Sequence, residues 1–266
     1  MGEHGTWFDY LNRFEWWRHL DSWAKSKLQR TFLLNMFDTG WTLTHVLVTL
    51  VVIGFCTWGA LAFVRGTRSA DHGVVPPRTM NLRNFFEYMT ESVYGMVEGA
   101  LGEKNAPRFF PLIGALWLFI LFSNLIGLIP GFIAPTDTLK TNAGIAIMVF
   151  LLTHYFGVKE HGLAYFKHFL GPSPVLAPLM LPIEIVSHLA RPLSLMVRLM
   201  GNMMADHKVV FSFFALVPLV VPLPFMLLGL LVCLIQALVF CTLTMVYISM
   251  AIEHEHEHEP DHAHAH

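Results

Sequence analysis

Inside "ARPLSLMVRLMGNMMADHK", residues 190–208, an arginine stands among leucines and methionines. The immediate neighbours of Arg198 are Met196, Val197, Leu199 and Met200. A guanidinium keeps its proton at any physiological pH. Its chemistry here is therefore electrostatic: it can hold a carboxylate or another anion, and it cannot hand on a proton. At 100° per residue, Glu184, Ser187, Arg191, Ser194, Arg198 and Asn202 share one helix face, within about 40° of Arg198. His188 and Asp206 lie at the edge of that stripe, about 80° away by the same geometry. Pro192 is placed to bend the helix, so the angles are approximate. An arginine at the centre of a membrane helix costs about 2.5–3.5 kcal/mol on insertion scales and normally faces protein or a water-filled cavity.

Two readings of Arg198 follow. It is an internal tie, for which Asp206, two turns away, is the best local carboxylate. Or its partner belongs to another molecule. The i±4 positions, Ser194 and Asn202, are neutral, and Glu184 is about 21 Å away along the axis. The second reading is favoured. On the last apolar stretch, Gln236 is the conspicuous polar residue, and Gly229, seven residues earlier, leaves room on the same face. Gln236 suits either interhelical glue or a functional amide. Thr242, Thr244, Tyr247 and Ser249 are expected to play structural roles, the serine and threonines bonding backbone carbonyls.

The elements that must position these groups are membrane helices. The 266 residues are 55% hydrophobic and only 14% charged, against about 25% charged in soluble domains. Net charge is −2, which gives no basic surface for nucleic acid. Cys56, Cys233 and Cys241 lie in apolar runs and read as packing residues. A crossing needs about 20 apolar residues. Residues 41–64 supply one. Residues 81–102 mix Glu87, Glu91 and Glu98 with large apolar side chains, and are expected to lie in the interface. Residues 109–133 cross next, closed by Pro130. Residues 134–142 form a short polar connection, and 142–158 a third crossing. Residues 209–252 hold no Lys, Arg, Asp or Glu. Pro218, Pro222 and Pro224 divide the end of the chain into a long helix of about 175–217 and a second of about 225–252. The expected fold is all-α and polytopic: five transmembrane helices, one in-plane amphipathic helix, and a long tilted hairpin at 175–252.

Three regions follow: an interfacial arm at 1–40 rich in Trp and mixed charge, a membrane domain at 41–252, and a His/Glu-rich tail at 253–266. No secretory signal is visible in the arm. The tail suits a divalent metal by composition but reads better as a solvated or appended segment. Histidines 154, 161 and 168 are expected at a span end and in the following loop. Five crossings put the termini on opposite sides. Cation counts in the loops, eight against six, favour the N-terminus outside and the C-terminus in the cytoplasm.

At these residues the chain resembles subunit a of the F-type ATP synthase. "RPLSLMVRLMGNMMA" (191–205) is similar to that family's signature helix, "LIQALVFCTLTMVYISMA" (234–251) to its last helix, and "FSNLIGLIP" (122–130) to an early span. The similarity runs from about residue 41 to 252; the arm and tail match nothing. It implies that Arg198 is the essential arginine, Asn202 the family's asparagine, Gln236 the glutamine opposite, and His207 a titratable residue. Glu184 would be the acid of the inward half. Relatives often carry Gly where Asp206 stands, and His or Glu where Gly229 stands, so the two helices look exchanged there.

The implied function is proton translocation through two half-channels against a ring of small hairpin subunits, each bearing a mid-membrane carboxylate. The outward half-channel would use Asn202, Asp206, His207 and Gln236; the inward one would use Glu184, Ser187, His188 and Ser194. Peripheral-stalk subunits, the lipid bilayer and, indirectly, a soluble ATPase head are the other expected partners, in a bacterial plasma membrane. No cofactor is expected. Two other classes stay open: a stand-alone secondary transporter with Arg198 as an anion-binding group, and a membrane metalloenzyme using His45, His154, His188 and His207. The absence of an internal repeat weakens the first. The second would favour paired histidine boxes, and none occurs outside the tail.

Overall fold

The computed structural model describes residues 11, 14–28, 43–67, 82–129, 131–162, 165, 177–216 and 222–252. Among these there are seven α-helices and no strand. They are α1 (Glu15–Leu28), α2 (Leu43–Thr67), α3 (Leu82–Leu101), α4 (Ala106–Gly127), α5 (Leu139–His161), α6 (Ala177–Leu216) and α7 (Pro222–Ile252). A 3-10 turn, Pro135–Asp137, precedes α5. Five of them, α2 and α4–α7, are long and apolar enough to cross a membrane.

Helix α3 is not among the five. It buries Phe86, Val93, Val97 and Leu101 on one face while Tyr88 and Glu91 are exposed, which is the one-sided pattern of an amphipathic helix. Gly102 ends it at φ 77, in the left-handed region, and donates its N–H to the carbonyl of Glu98. Pro107 then opens α4, where its missing N–H costs nothing. Helix α1 buries Trp17 and Ala24, one face seven residues apart, and leaves Trp16 and Trp23 outside. Its Asp21 accepts a hydrogen bond from the backbone N–H of Leu43, tying the arm to the start of α2.

The core lies where α3, α4, α5, α6 and α7 meet. Phe109, Ile113, Ile120, Leu121, Leu199, Phe240, Met245 and Ile248 are essentially inaccessible there. At the C-terminal side of the fold the Arg108 guanidinium on α4 pairs with Glu160 on α5. That pair is joined by cation–π contact of Arg108 with Phe109 and Phe156.

Three expectations need correction. The first concerns α4, which ends at Gly127, not at residue 133. Successive turn bonds, Leu128 N–H to Leu125 and Ile129 N–H to Ile126, fold the chain back; Pro130 lies outside the described residues. The second concerns residues 134–142, expected as a short polar connection: α5 already begins at Leu139. Ala134, Thr136, Thr138 and Asn142 are buried, so this segment re-enters the protein. The third concerns His154, which lies well inside α5 rather than at the end of a span, because the helix runs on through Lys159 and Glu160. His168 and the 253–266 tail lie outside the described residues.

The hairpin is as expected, with bounds shifted by at most three residues. Pro222 is the first residue of α7, the position proline tolerates best. Pro182 and Pro192 sit inside α6 without ending it.

Candidate functional site

The site is built along α6. Its Leu195, Leu199 and Met203 are buried at helical spacing, and they turn that stripe toward the core. The same rotation turns Arg198 outward. Arg198 is exposed, and among the described residues it has no hydrogen-bond or ion-pair partner. Around it the outer face is apolar: Leu193 and Val197 on α6, and Leu231, Leu234, Ile235 and Leu238 on α7, are all exposed. Gly201, also on this face, would meet nothing with an added Cβ. A permanent cation on an oily, open surface can take an anion from another molecule. The internal tie to Asp206 is not made.

One turn on, Asn202 donates from Nδ2 to Gln236 Oε1 at 2.8 Å, across the α6–α7 interface. Gln236 is buried. The two residues that the sequence left on separate helices are therefore one polar unit beside the arginine.

Toward the C-terminus of α6, Asp206 faces α7 instead of Arg198. A Cβ built on Gly229 would lie 3.8 Å from Asp206 Oδ2. Leu128 Cδ2, at 2.8 Å from that Cβ, takes up most of the space that the missing side chain at position 229 leaves, and the carboxyl borders it. His207 points the other way, into the α4–α5 connection. Its Nε2 is 2.9 Å from the carbonyl of Gly127, and its Nδ1 is 3.6 Å from Asp137 Oδ2. A carbonyl only accepts, so Nε2 carries the proton there. Protonation at Nδ1 engages Asp137 as well, whereas the neutral ring satisfies one contact at a time.

The connection itself is fixed by a buried network. Thr136 Oγ1 donates to Asn124 Oδ1 at 2.7 Å, and Asn142 Nδ2 donates to the Thr136 carbonyl at 2.7 Å. Gly127 is required where it stands. An added Cβ would come within 2.7 Å of Ala134 Cβ and 2.8 Å of His207 Nε2. Sequence reasoning missed Asp137, Asn124, Thr136 and Asn142. The available signal was an acid and two amides in or beside a connection of only eleven residues between apolar helices, too short to stand clear of the protein.

At the other end of α6, a cavity of about 90 Å³ lies between α5, α6 and α7. Glu184, His188 and Arg191 line it from α6, His154 from α5, Tyr247 from α7, together with Tyr165. His188 Nδ1 is 3.0 Å from the Glu184 carbonyl and 3.4 Å from its carboxylate. Arg191 stacks on Tyr247 at 5.1 Å. Burial pushes the Tyr165 phenol above its usual range, so it stays protonated. Ser187 and Ser194, expected on this side, are exposed and do not line the cavity. His45, buried on α2, and His207 are in different places from the His154–His188 pair, so the four histidines of the metalloenzyme reading do not converge.

Three polar stations therefore succeed one another along one helix pair. Glu184 and Asp206 lie about 21 Å and about 12 Å along the axis from Arg198, on opposite sides of it. Leu195, Leu199, Ala237, Phe240 and Cys241 pack between the stations.

The family model for the ATP synthase A chain matches residues 42–249. The chain belongs to that family. ATP synthase subunit a 2 of Syntrophotalea carbinolica is 48% identical over 234 residues, covering 86% of this chain and 94% of its own length. ATP synthase subunit a of Geobacter sulfurreducens is 55% identical over 168 residues, 63% of this chain and 73% of its own. That of Trichlorobacter lovleyi is 46% identical over 224 residues, 84% of this chain and 92% of its own. Membership in the ATP synthase A chain family makes this a multi-pass membrane subunit that serves ion translocation in the synthase's membrane sector, alongside the other subunits of that sector.

Proposed function

We propose that the chain carries protons between two aqueous half-channels by way of a carboxylate on a rotating ring of small hairpin subunits. The observation that carries this reading is the exposed, unpartnered Arg198 between two polar clusters on the same pair of helices. Protons enter on the side of Asp206, His207 and Asp137, with the Asn202–Gln236 pair at the inner end of that path. They neutralise a ring carboxylate, which can then face lipid without the cost of a bare charge. After nearly a full turn the carboxyl reaches the side of Glu184 and His188 and loses its proton there.

Arg198 meets the ionised carboxylate and favours that form. It also keeps the half-channels apart, since it does not release its own proton. The membrane potential supplies about 2.3 kcal/mol per charge per 100 mV. Ser194, exposed one turn from Arg198, is assigned to the surface that the ring sweeps. The N-terminus is outside and the C-terminus cytoplasmic, in a bacterial plasma membrane. Peripheral-stalk subunits hold the chain still against the ring, and helix α1 of the arm lies in the interface; most of the rest of residues 1–40 lies outside the described residues.

The test is Arg198→Lys in the intact complex. Lysine keeps the charge but shifts its pKa readily when desolvated. We expect the ring and the water-soluble head to copurify with the variant while ATP-driven proton pumping into inverted vesicles is lost. Normal pumping would refute the role given to the guanidinium.

A further inference from the structure

We propose that His154 is a proton-relay residue of the inward half-channel, working with His188 across the cavity between α5 and α6. The inference rests on the proposed function, and assigns a role to a side chain on a helix other than the hairpin. The imidazole rings of His154 and His188 are 5.4 Å apart and nearly perpendicular. His154 Nδ1 lies 2.8 Å from the carbonyl of Phe150 on its own helix. That carbonyl can only accept, so Nδ1 carries the proton. His188 is held the same way, its Nδ1 facing two acceptors of Glu184.

Neutral His154 therefore keeps its proton on the backbone side and a lone pair on Nε2. Nε2 has no hydrogen-bond partner among the described residues. A fixed tautomer with one unengaged basic nitrogen, in a residue that lines a cavity with room for several waters, is a proton acceptor at rest.

The surroundings suit a relay rather than a trap. The groups facing His154 are Glu184, His188 and Arg191 from α6, Tyr247 from α7, and Tyr165, whose ring centroid is 6.0 Å away. Glu184 is the only carboxylate among them, and it already lies against His188. Arg191 is parked on the face of Tyr247. A proton arriving at Nε2 of His154 thus meets no carboxylate of its own to hold it. It passes by water to His188 and Glu184 on one side, or toward the end of α5 on the other. No bond other than N–H and O–H changes, and each transfer restores the starting tautomer once the Nε2 proton leaves.

The test compares wild-type complex with His154→Asn, His154→Ala and Arg198→Ala in inverted vesicles, which expose the cytoplasmic face to the bath. Asn places its amide nitrogen near the Nδ1 position, so it can keep the bond to Phe150 and removes only Nε2. Passive proton conduction in His154→Asn should fall by about 10²-fold, the low end of what a positioned acid–base group contributes. Its dependence on bath pH should lose a histidine-like inflection that the wild type shows. Added imidazole should restore conduction in His154→Ala and leave the wild type unchanged.

Wild-type conduction and pH profile in His154→Asn, or no rescue by imidazole, overturns the assignment. Failure of both His154 variants to retain the ring and head overturns it too, by giving His154 the role of holding α5. Arg198→Ala separates the two levels. If it pumps normally, the proposed function fails; if it does not and His154→Asn conducts normally, only the relay fails.

Discussion

The Asp206–Gly229 contact makes the exchange between helices testable. Asp206 Oδ2 and Cγ lie 3.8 Å and 3.9 Å from where a Cβ on residue 229 would sit. A titratable group reaches this spot from the α6 wall, and one could reach it equally from the α7 wall. Removing it with Asp206→Gly should lower proton uptake by about 10²-fold, the low end for a positioned acid–base group, or about 2.7 kcal/mol on the barrier. Gly229→His alone adds a ring where Leu128 Cδ2 is already 2.8 Å away, and Asp206 fills the remaining space. Overpacking of this kind costs about 1–3 kcal/mol. In the double variant the carboxyl is gone and Leu128 meets the ring with the flexible end of its side chain, so both penalties shrink. The two changes should then be strongly non-additive, with the double variant pumping within a few-fold of wild type and well above Asp206→Gly. The assay is ATP-driven acidification of inverted vesicles, with copurification of the ring as the check on assembly. A double variant that assembles and is as inactive as Asp206→Gly would refute the idea that the two walls share one aqueous space.

Two further outcomes follow from the same contacts. Gly127→Ala drives a methyl against Ala134 Cβ and His207 Nε2. It should cost about 1–3 kcal/mol of packing and displace His207 from Asp137, seen as slower proton uptake from the outer side with the cytoplasmic branch unchanged. The Asn202–Gln236 hydrogen bond should give an interaction of about 0.6 kcal/mol, and not above about 1.7, in a double-mutant cycle of thermal stability on the detergent-solubilised complex using Asn202→Ala and Gln236→Ala; a cycle that closes at zero would mean that the pair does not form.

Hydropathy made the five crossings legible, because an apolar run long enough to span a bilayer needs no tertiary context to recognise. The polar stripe of α6 was equally plain, since 3.6 residues per turn puts Glu184, Arg198 and Asn202 on one side wherever the helix goes. What the stripe would touch was not legible. Asp206 and His207 are adjacent in sequence yet diverge, one to α7 and the other to the α4–α5 connection, and the direction of each depends on where Gly229 and Gly127 leave room. Asp137 was passed over because its segment looked like an ordinary polar loop. Only the buried bonds of Thr136 and Asn142 reveal that it folds inward. His154 was misassigned for a similar local reason. Lys159 and Glu160 suggested that the helix was ending, whereas Glu160 reaches across to Arg108 and lets α5 continue to His161.

Helix α6 runs for 40 residues, about 60 Å at the usual rise per residue, through a hydrocarbon layer about 30 Å thick. Upright, it would project about 30 Å beyond that layer; tilted, it stays nearer to it. A steep slope converts length along the helix into sideways travel, so the stations near Glu184 and Asp206 sit above different points of the membrane plane. A carrier that merely bobbed through the bilayer beneath Arg198 would reach neither. In the proposed function, a ring carboxylate sliding round an arc would serve both.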